Sequence, residues 1–205
     1  MKAFKNGLIT GFILQLAIGP IFFFIVNLAL QRTFWDGMVG AVAVTLADYV
    51  YIMLAIFGVG KLLEKKKVKK IFGVVSSVVL IIFGMIMVKS VLNNVEAIKL
   101  EPGSSNLGAS FISVFVLTIS SPMTIFLWTS IFTAKAIENN YSKRDFFVFG
   151  LGTGLATLVF MGMAVITLSL LKTSIPLVVI QVLNLIVGGL LILYGLIRLK
   201  RLFSR

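Results

Sequence analysis

The stretch "VTLADYVYIML", residues 44–54, places one carboxylate, Asp48, in the middle of an apolar run. The run extends from about residue 37 to residue 60. About 20 apolar residues are enough for a helix to cross the roughly 30 Å hydrocarbon core of a bilayer. The stretch therefore predicts a transmembrane helix that carries a buried acid.

The composition of the whole chain points to the same class of protein. The 205 residues are 59% hydrophobic and 13% charged, whereas a soluble domain usually has about 45–50% apolar and about 25% charged residues. The chain has no cysteine and no histidine. This excludes disulfides, thiolate metal sites, haem ligation and histidine-based acid–base catalysis.

Six apolar segments are long enough to span a bilayer: about 7–30, 37–60, 71–91, 107–133, 146–171 and 178–198. The first is too long for the apolar part of a signal peptide and lacks a small-residue cleavage site, so we expect it to be retained. We therefore predict an all-α integral membrane protein with a single membrane domain over residues 1–205.

The basic residues predict how the chain is oriented. Of 19 lysines and arginines, 15 lie in the amino terminus, the 61–70 connection, the 134–145 loop and the carboxyl-terminal tail. The other four are Arg32, Lys89, Lys99 and Lys172. The positive-inside rule then places both termini in the cytoplasm of a multi-pass plasma-membrane protein. A basic chain could also bind nucleic acid, but bases in short segments between apolar runs favour the bilayer as partner.

The two halves of the chain resemble each other. "LIIFGMIMVKSVL" at 80–92 aligns with "LILYGLIRLKRLF" at 191–203, "IGPIFFF" at 18–24 with "SSPMTIF" at 120–126, and "TLAD" at 45–48 with "GLAT" at 154–157. Each half contains three spans, so the second would enter the membrane upside down, as in many transporters. We predict two inverted three-helix repeats, about 7–92 and 107–203, joined by a loop at 93–106. Chance similarity between apolar sequences is the alternative.

A proline lies near the centre of spans 1 and 4 and predicts a break in each helix. Pro20 and Pro122 lack the N–H that would bond the carbonyls of Leu16 and Thr118. Such breaks occur in membranes where protein or a water-filled cavity satisfies the backbone. We therefore predict that Gly19, Pro20, Thr118 and Pro122 form helix-break or gating positions. Ordinary packing kinks remain the alternative.

The helical period of span 2 predicts which way Asp48 faces. Small and polar residues follow one another at steps of three or four: Gly37, Ala41, Thr45, Asp48, Tyr51 and Ala55. The opposite stripe is bulky and apolar: Val42, Leu46, Val50, Met53 and Phe57. The acid is therefore expected to face other helices.

A mid-membrane charge costs about 2.5–3.5 kcal/mol on insertion scales, so Asp48 is expected to be neutralised by a proton or by a cationic substrate. The alternative is a structural acid that is hydrogen-bonded to Gln15 or Gln181. We predict a substrate and proton site between spans 1, 2, 4 and 5, formed by Asp48, Gln15, Tyr51, Ser121 and Thr157.

The stretch "GFILQLAIGPIFFFIVNLALQRTFWDGMVGAVAVTLADYVYIMLA", residues 11–55, resembles the LysE/RhtB family of amino-acid exporters. The likeness covers nearly the whole chain and rests on the glycine–proline of span 1, the following "AL", and the glycine-rich second helix with its aspartate. Gly19–Pro20, Ala29–Leu30, Gly37, Gly40 and Asp48 occupy those places. The chain departs from the family at Ala47, where glycine is usual, and at Ser121–Pro122–Met123, where asparagine–proline–lysine is usual.

The resemblance implies outward transport of lysine, arginine, threonine, homoserine or similar molecules, driven by the proton gradient and without a cofactor. The helix amino ends after Pro20 and Pro122 would attract the substrate carboxylate, and Asp48 would take its ammonium group or a proton. The two halves would rock to exchange access. Glycine stripes would permit a homodimer.

Other classes of protein stay open. A divalent-metal exporter of related architecture is the nearest alternative, although hard cations usually need more than one carboxylate and we predict no metal site. A membrane enzyme is disfavoured because no nucleophile–base pair or second buried acid accompanies Asp48. A non-transporting assembly or lipid-handling protein is the remaining alternative.

Overall fold

The computed structural model describes residues 2–16, 18–57, 66–92, 105–120, 122–139, 141–171 and 177–203. These residues form eight helices and no strand. The helices are α1 (Lys2–Gln15), α2 (Pro20–Gln31), α3 (Phe34–Ile56), α4 (Lys66–Leu92), α5 (Leu107–Ile119), α6 (Pro122–Asn139), α7 (Lys143–Leu170) and α8 (Leu177–Phe203). The connection at 58–65 and most of the predicted 93–106 loop lie outside the described residues.

Local sequence explains where several helices begin. Helix α2 starts with Pro20, whose missing N–H is not needed in the first turn. The Thr33 side chain caps α3 by accepting from the Asp36 backbone N–H. Helix α7 begins with a reciprocal capping box between Ser142 and Asp145.

Each of the six predicted apolar segments corresponds to one helix or to a broken pair of helices. Within the described part of the chain, three helical stretches are long and apolar enough to cross a membrane: Phe34–Ile56, Lys143–Leu170 and Gln181–Leu202. Helices α1 and α2 make a fourth if they count as one span, bent by 82° at the break. Helix α5 and the 73–89 part of α4 are shorter apolar helices. Six complete spans therefore stay a prediction.

Close contacts define two ends of the helix bundle. Helix α1 runs parallel to α7, with Gly7 against Phe149 and Gly11 against Thr153. Helix α3 runs antiparallel to α7, since Gly37 meets Val165 and Gly150 meets Ile52. The start of α1, the end of α3 and the start of α7 thus share one end, which we call the terminus end. The start of α3 lies at the opposite end, which we call the Arg32 end.

The predicted small face of span 2 is confirmed. All six residues of that face are buried in the bundle, while Val42, Leu46, Val50, Met53 and Phe57 are exposed. A bulky apolar stripe on the outside of an apolar helix is the surface that a lipid-facing helix presents. The same arrangement turns Asp48 toward α7 and the broken span 1.

Candidate functional site

The carboxyl group of Asp48 belongs to a chain of hydrogen bonds that joins three helices. The Thr157 hydroxyl on α7 donates to Asp48 Oδ2 at 2.9 Å, and Gln15 Nε2 at the end of α1 donates to Thr157 Oγ1 at 2.7 Å. Thr157 is fully buried and Asp48 is 6% exposed. The structure thus brings together three of the residues predicted to form the site, separated by up to 142 positions in the chain.

Asp48 and Gln15 line a cavity of about 190 Å³, which we call the Asp48 cavity. This is many times the roughly 10–15 Å³ that one water molecule needs. The walls come from the break between α1 and α2, from α3, from both halves of broken span 4 and from α7: Leu14, Gln15, Ile18, Gly19, Pro20, Ile21, Phe22, Val44, Asp48, Thr118, Thr124, Leu127, Trp128 and Met161.

The first helix break opens the backbone toward this cavity. Gly19 is extended, with φ −115° and ψ 178°, and it gives α2 no side-chain cap. The first N–H groups of a helix have no partner within the helix and carry a partial positive charge. Gly19, Pro20 and Ile21 line the cavity; because Pro20 has no N–H and the Phe22 N–H donates to the Gly19 carbonyl at 3.1 Å, the first-turn donor that α2 can offer to an anionic group there is the Ile21 N–H.

The second break is stabilised by Tyr51. Because Pro122 has no N–H, the Thr118 carbonyl loses the partner that a continuous helix would provide. The Tyr51 hydroxyl lies 3.5 Å from that carbonyl oxygen and donates to the carbonyl of Ile119. Tyr51 does not line the cavity. It supports the break from outside the cavity, one helical turn along α3 from Asp48.

The remaining predicted residues divide between the cavity and the undescribed part of the chain. Thr118 lines the cavity, and its hydroxyl donates to the Val114 carbonyl within α5. Ser121 lies outside the described residues, and Pro122 begins α6.

Trp128 was not identified from the sequence. Its side chain lines the cavity and is 3% exposed, and its indole N–H points toward the Asp48 carboxyl group without reaching ordinary hydrogen-bond geometry. Ser120 and Thr124 recur at a helical step of four and form a polar stripe in span 4, and Trp128 lies one further step of four along it. Continuing that stripe would have found it.

A second buried acid was also missed. Asp36 is fully buried at the Arg32 end of the bundle. Its carboxylate accepts from the Thr33 hydroxyl at 2.5 Å, the Ser110 hydroxyl at 2.7 Å and the Asn106 N–H at 3.2 Å, and Arg32 lies 3.9 Å away. This network ties the start of α3 to the start of α5.

The Asp48 cavity combines groups that suit a small zwitterion. A carboxyl group and an amide can receive an ammonium group, and the amino end of α2 can receive a carboxylate. Among the described residues, no group of three or more acids could hold a metal ion.

The chain is similar to known proteins over nearly its whole length. The family model described as LysE type translocator matches residues 12–199. The "Putative amino acid efflux protein YcgF" of Bacillus subtilis (strain 168) is 22% identical over 198 residues, which cover 95% of this chain and 94% of the relative. No solved structure is significantly similar to the chain.

Proposed function

The chain belongs to the LysE type translocator family, and on that premise we propose that it exports amino acids or related small zwitterionic or cationic metabolites in exchange for protons. Family membership makes it a multi-pass membrane transporter of a small molecule. The substrate class rests on the name of the efflux protein to which it is similar over nearly its whole length. The outward direction of transport also rests on that relationship.

The observation that carries the proposal is the hydrogen-bonded chain of Gln15, Thr157 and Asp48 beside a cavity at a broken helix. A carboxylate this far inside an apolar bundle is costly unless it is neutralised. A purely structural acid would be enclosed by its partners. Asp48 instead lines a cavity large enough for a ligand, so a mobile cation can reach it.

The transport cycle follows from these groups. In the proposed cycle, the substrate enters the Asp48 cavity and its ammonium group approaches Asp48, displacing a proton. Its carboxylate approaches the Ile21 N–H at the amino end of α2. Thr157 orients the carboxyl group of Asp48, and Tyr51 holds the second break in shape.

Alternating access would come from rocking of two inverted repeats, about 7–92 and 107–203. Paired contacts support this part of the proposal. A β-carbon on Gly84 would lie 2.6 Å from the Gly188 carbonyl oxygen, and one on Gly195 would lie 2.9 Å from that of Ser77. A shift of 111 residues relates Ser77 to Gly188 and Gly84 to Gly195, so each contact is the counterpart of the other.

The contact between Asp48 and Thr157 supports the same symmetry. The alignment of "TLAD" with "GLAT" makes these residues equivalent in the two halves. Two equivalent positions can meet only near the axis that relates the repeats, and this is where the binding sites of such transporters lie. We propose that both termini are cytoplasmic, on the basis of the lysine and arginine distribution.

Counterflow in liposomes tests the proposal. Purified protein would be reconstituted with unlabelled amino acid inside and labelled lysine, arginine, threonine or homoserine outside, with and without a pH gradient. Asp48→Asn would be compared with wild type, and Asp145→Asn would serve as the control. Asp145 is an acid at the start of α7 whose only described partner is the cap residue Ser142.

Exchange of at least one amino acid by wild type and by Asp145→Asn, with loss in Asp48→Asn, is the expected result. Normal exchange by Asp48→Asn would remove Asp48 from substrate binding. Movement of a divalent ion without any amino acid would contradict the proposed substrate class and favour the metal-exporter alternative.

A further inference from the structure

A second cavity of about 190 Å³ lies nearer the Arg32 end of the bundle, between α2, α4, α5 and α8. We call it the Arg32 cavity. Half of its lining residues are apolar, and the other half are polar or charged: Asn27, Gln31, Arg32, Ser113 and Asn184. A polar lining of this kind requires water or a ligand to satisfy it. None of these side chains belongs to the site around Asp48.

The two cavities follow one another along the same two helices. Helix α2 contributes Phe22 to the Asp48 cavity and Asn27 to the Arg32 cavity, and α5 contributes Thr118 to the first and Ser113 to the second. Between these residues the rise of about 1.5 Å per residue gives roughly 7–8 Å along each helix, and five residues also turn about 140° around its axis. The Arg32 cavity therefore lies nearer the Arg32 end and on a different face of α2 and α5.

Aromatic rings of α2 border both cavities. Phe22 borders the Asp48 cavity and packs edge-on against Phe23. Phe24 borders the Arg32 cavity and packs edge-on against Phe83 of α4. The same run of phenylalanines thus contributes apolar walls to both cavities.

The polar groups of the Arg32 cavity complement a zwitterion. The Arg32 side chain is only 12% exposed, and its guanidinium donates to the Ser110 hydroxyl at 2.8 Å and lies 3.9 Å from Asp36. Burial lowers the pKa of Arg32 and the charge of Asp36 opposes that shift, but an arginine side chain keeps its positive charge at neutral pH. A poorly hydrated guanidinium binds carboxylates well, because its planar donors match the two carboxylate oxygens.

Asn27 supplies the opposite kind of group. Its side-chain amide donates to the Asn184 side chain on α8, and its own Oδ1 is buried without a hydrogen-bond partner among the described residues. A buried acceptor that lacks a hydrogen-bond partner destabilises the protein. An ammonium group, with three donors and no acceptor, would satisfy it.

From these contacts we infer that the Arg32 cavity is a second substrate subsite, which binds the carboxylate of the exported amino acid through Arg32 and its ammonium group through Asn27. The inference rests on the proposed function and extends it from one binding position to two. The Arg32 cavity would receive substrate after the Asp48 cavity releases it.

Equilibrium dialysis of the purified full-length chain against labelled lysine, arginine, threonine and homoserine tests the inference. The same measurement is made for the methyl ester of each, which keeps the ammonium group and lacks the carboxylate charge. Ser113→Leu fills the Arg32 cavity without removing a residue of the Arg32–Asp36 network. Thr167→Leu, on an exposed position of α7, is its matched control. Arg32→Gln is compared with Arg201→Gln, which is exposed on α8.

Two equivalents of an amino acid should bind to wild type and to both controls, and one equivalent to Ser113→Leu and to Arg32→Gln. Asp48→Asn should still bind one equivalent of the amino acid. The remaining site should bind the methyl ester at least tenfold more weakly than the amino acid. One equivalent in wild type, abolished by Asp48→Asn, would overturn the second subsite while the proposed function stands. Binding of two equivalents by Ser113→Leu would also overturn it. Displacement of the second equivalent from wild type by added phosphatidylglycerol would overturn it as well. Failure of every amino acid to bind wild type would overturn both proposals.

Discussion

Thr157→Val tests the hydrogen bonds around Asp48 with little change in shape. Valine keeps the volume of threonine but removes the donor to Asp48 and the acceptor for Gln15. A hydrogen bond to a charged group contributes about 1.5–3 kcal/mol. Both partners border a cavity where water can replace part of the loss, so we expect a cost of about 1–2 kcal/mol. A loss of 1.4 kcal/mol corresponds to about a tenfold change in affinity.

Thr153→Val is the matched control. Thr153 lies one turn earlier in α7 and is also fully buried, but its hydroxyl donates only to the Phe149 carbonyl of its own helix, at 2.8 Å. The same chemical change there leaves the Asp48 cavity intact. We therefore expect substrate affinity to remain at the wild-type level in this variant.

The assay is counterflow at varied concentrations of the amino acid that wild type exchanges fastest, with thermal unfolding followed in parallel. Thr157→Val should raise the KM about tenfold, and Thr153→Val should leave it unchanged. An unchanged KM in a folded Thr157→Val protein would refute the reasoning, because the hydroxyl would then have no part in preparing Asp48. An equal rise of KM in both variants would refute it as well, since the effect would then be one of packing.

Two further variants test the support of the site and the packing of the repeats. Tyr51→Phe leaves the Ile119 carbonyl without its donor and should lower the stability of the fold by about 1–3 kcal/mol. Tyr49→Phe removes the hydrogen bond of a more exposed hydroxyl and should lower the stability less. An equal loss of thermal stability in the two variants would contradict this. Gly84→Ala should destabilise the fold because its β-carbon would meet the backbone of α8. Gly189 has open space around it, so Gly189→Ala should be neutral or stabilising by up to about 1 kcal/mol. Similar unfolding temperatures of the two variants would contradict this, because the helices would then move apart without cost.

The sequence was informative wherever a helical period decides the outcome. The two faces of α3 could be predicted because a step of three or four residues returns to the same side of a helix. The start of α2 could be predicted because Pro20 lacks an N–H, and the approach of Thr157 to Asp48 was implicit in the alignment of the two halves. Each of these inferences depends on local geometry or on symmetry.

Contacts that depend on the packing of distant helices could not be predicted. Asp36 directly precedes the predicted span at 37–60, where no sequence pattern marks it as buried, yet hydrogen bonds from Ser110 and Asn106, 74 and 70 positions away, make it a buried junction. The role of Tyr51 at the second break depends on how α3 crosses α5. No periodicity within either helix contains that information, because it arises from the angle and register at which the helices pack.

The presence of a single carboxyl group in the described part of the Asp48 cavity constrains how the proposed exporter couples to protons. A charge there is costly, so the carrier changes access readily only when Asp48 is neutralised. Either a proton or the ammonium group of a substrate can neutralise it, but one carboxylate cannot hold both. An empty carrier without a proton would be held back by its charge, and it would return only after taking one up. Outward movement of one amino acid would therefore be matched by inward movement of one proton, with no second titratable group needed in the cavity.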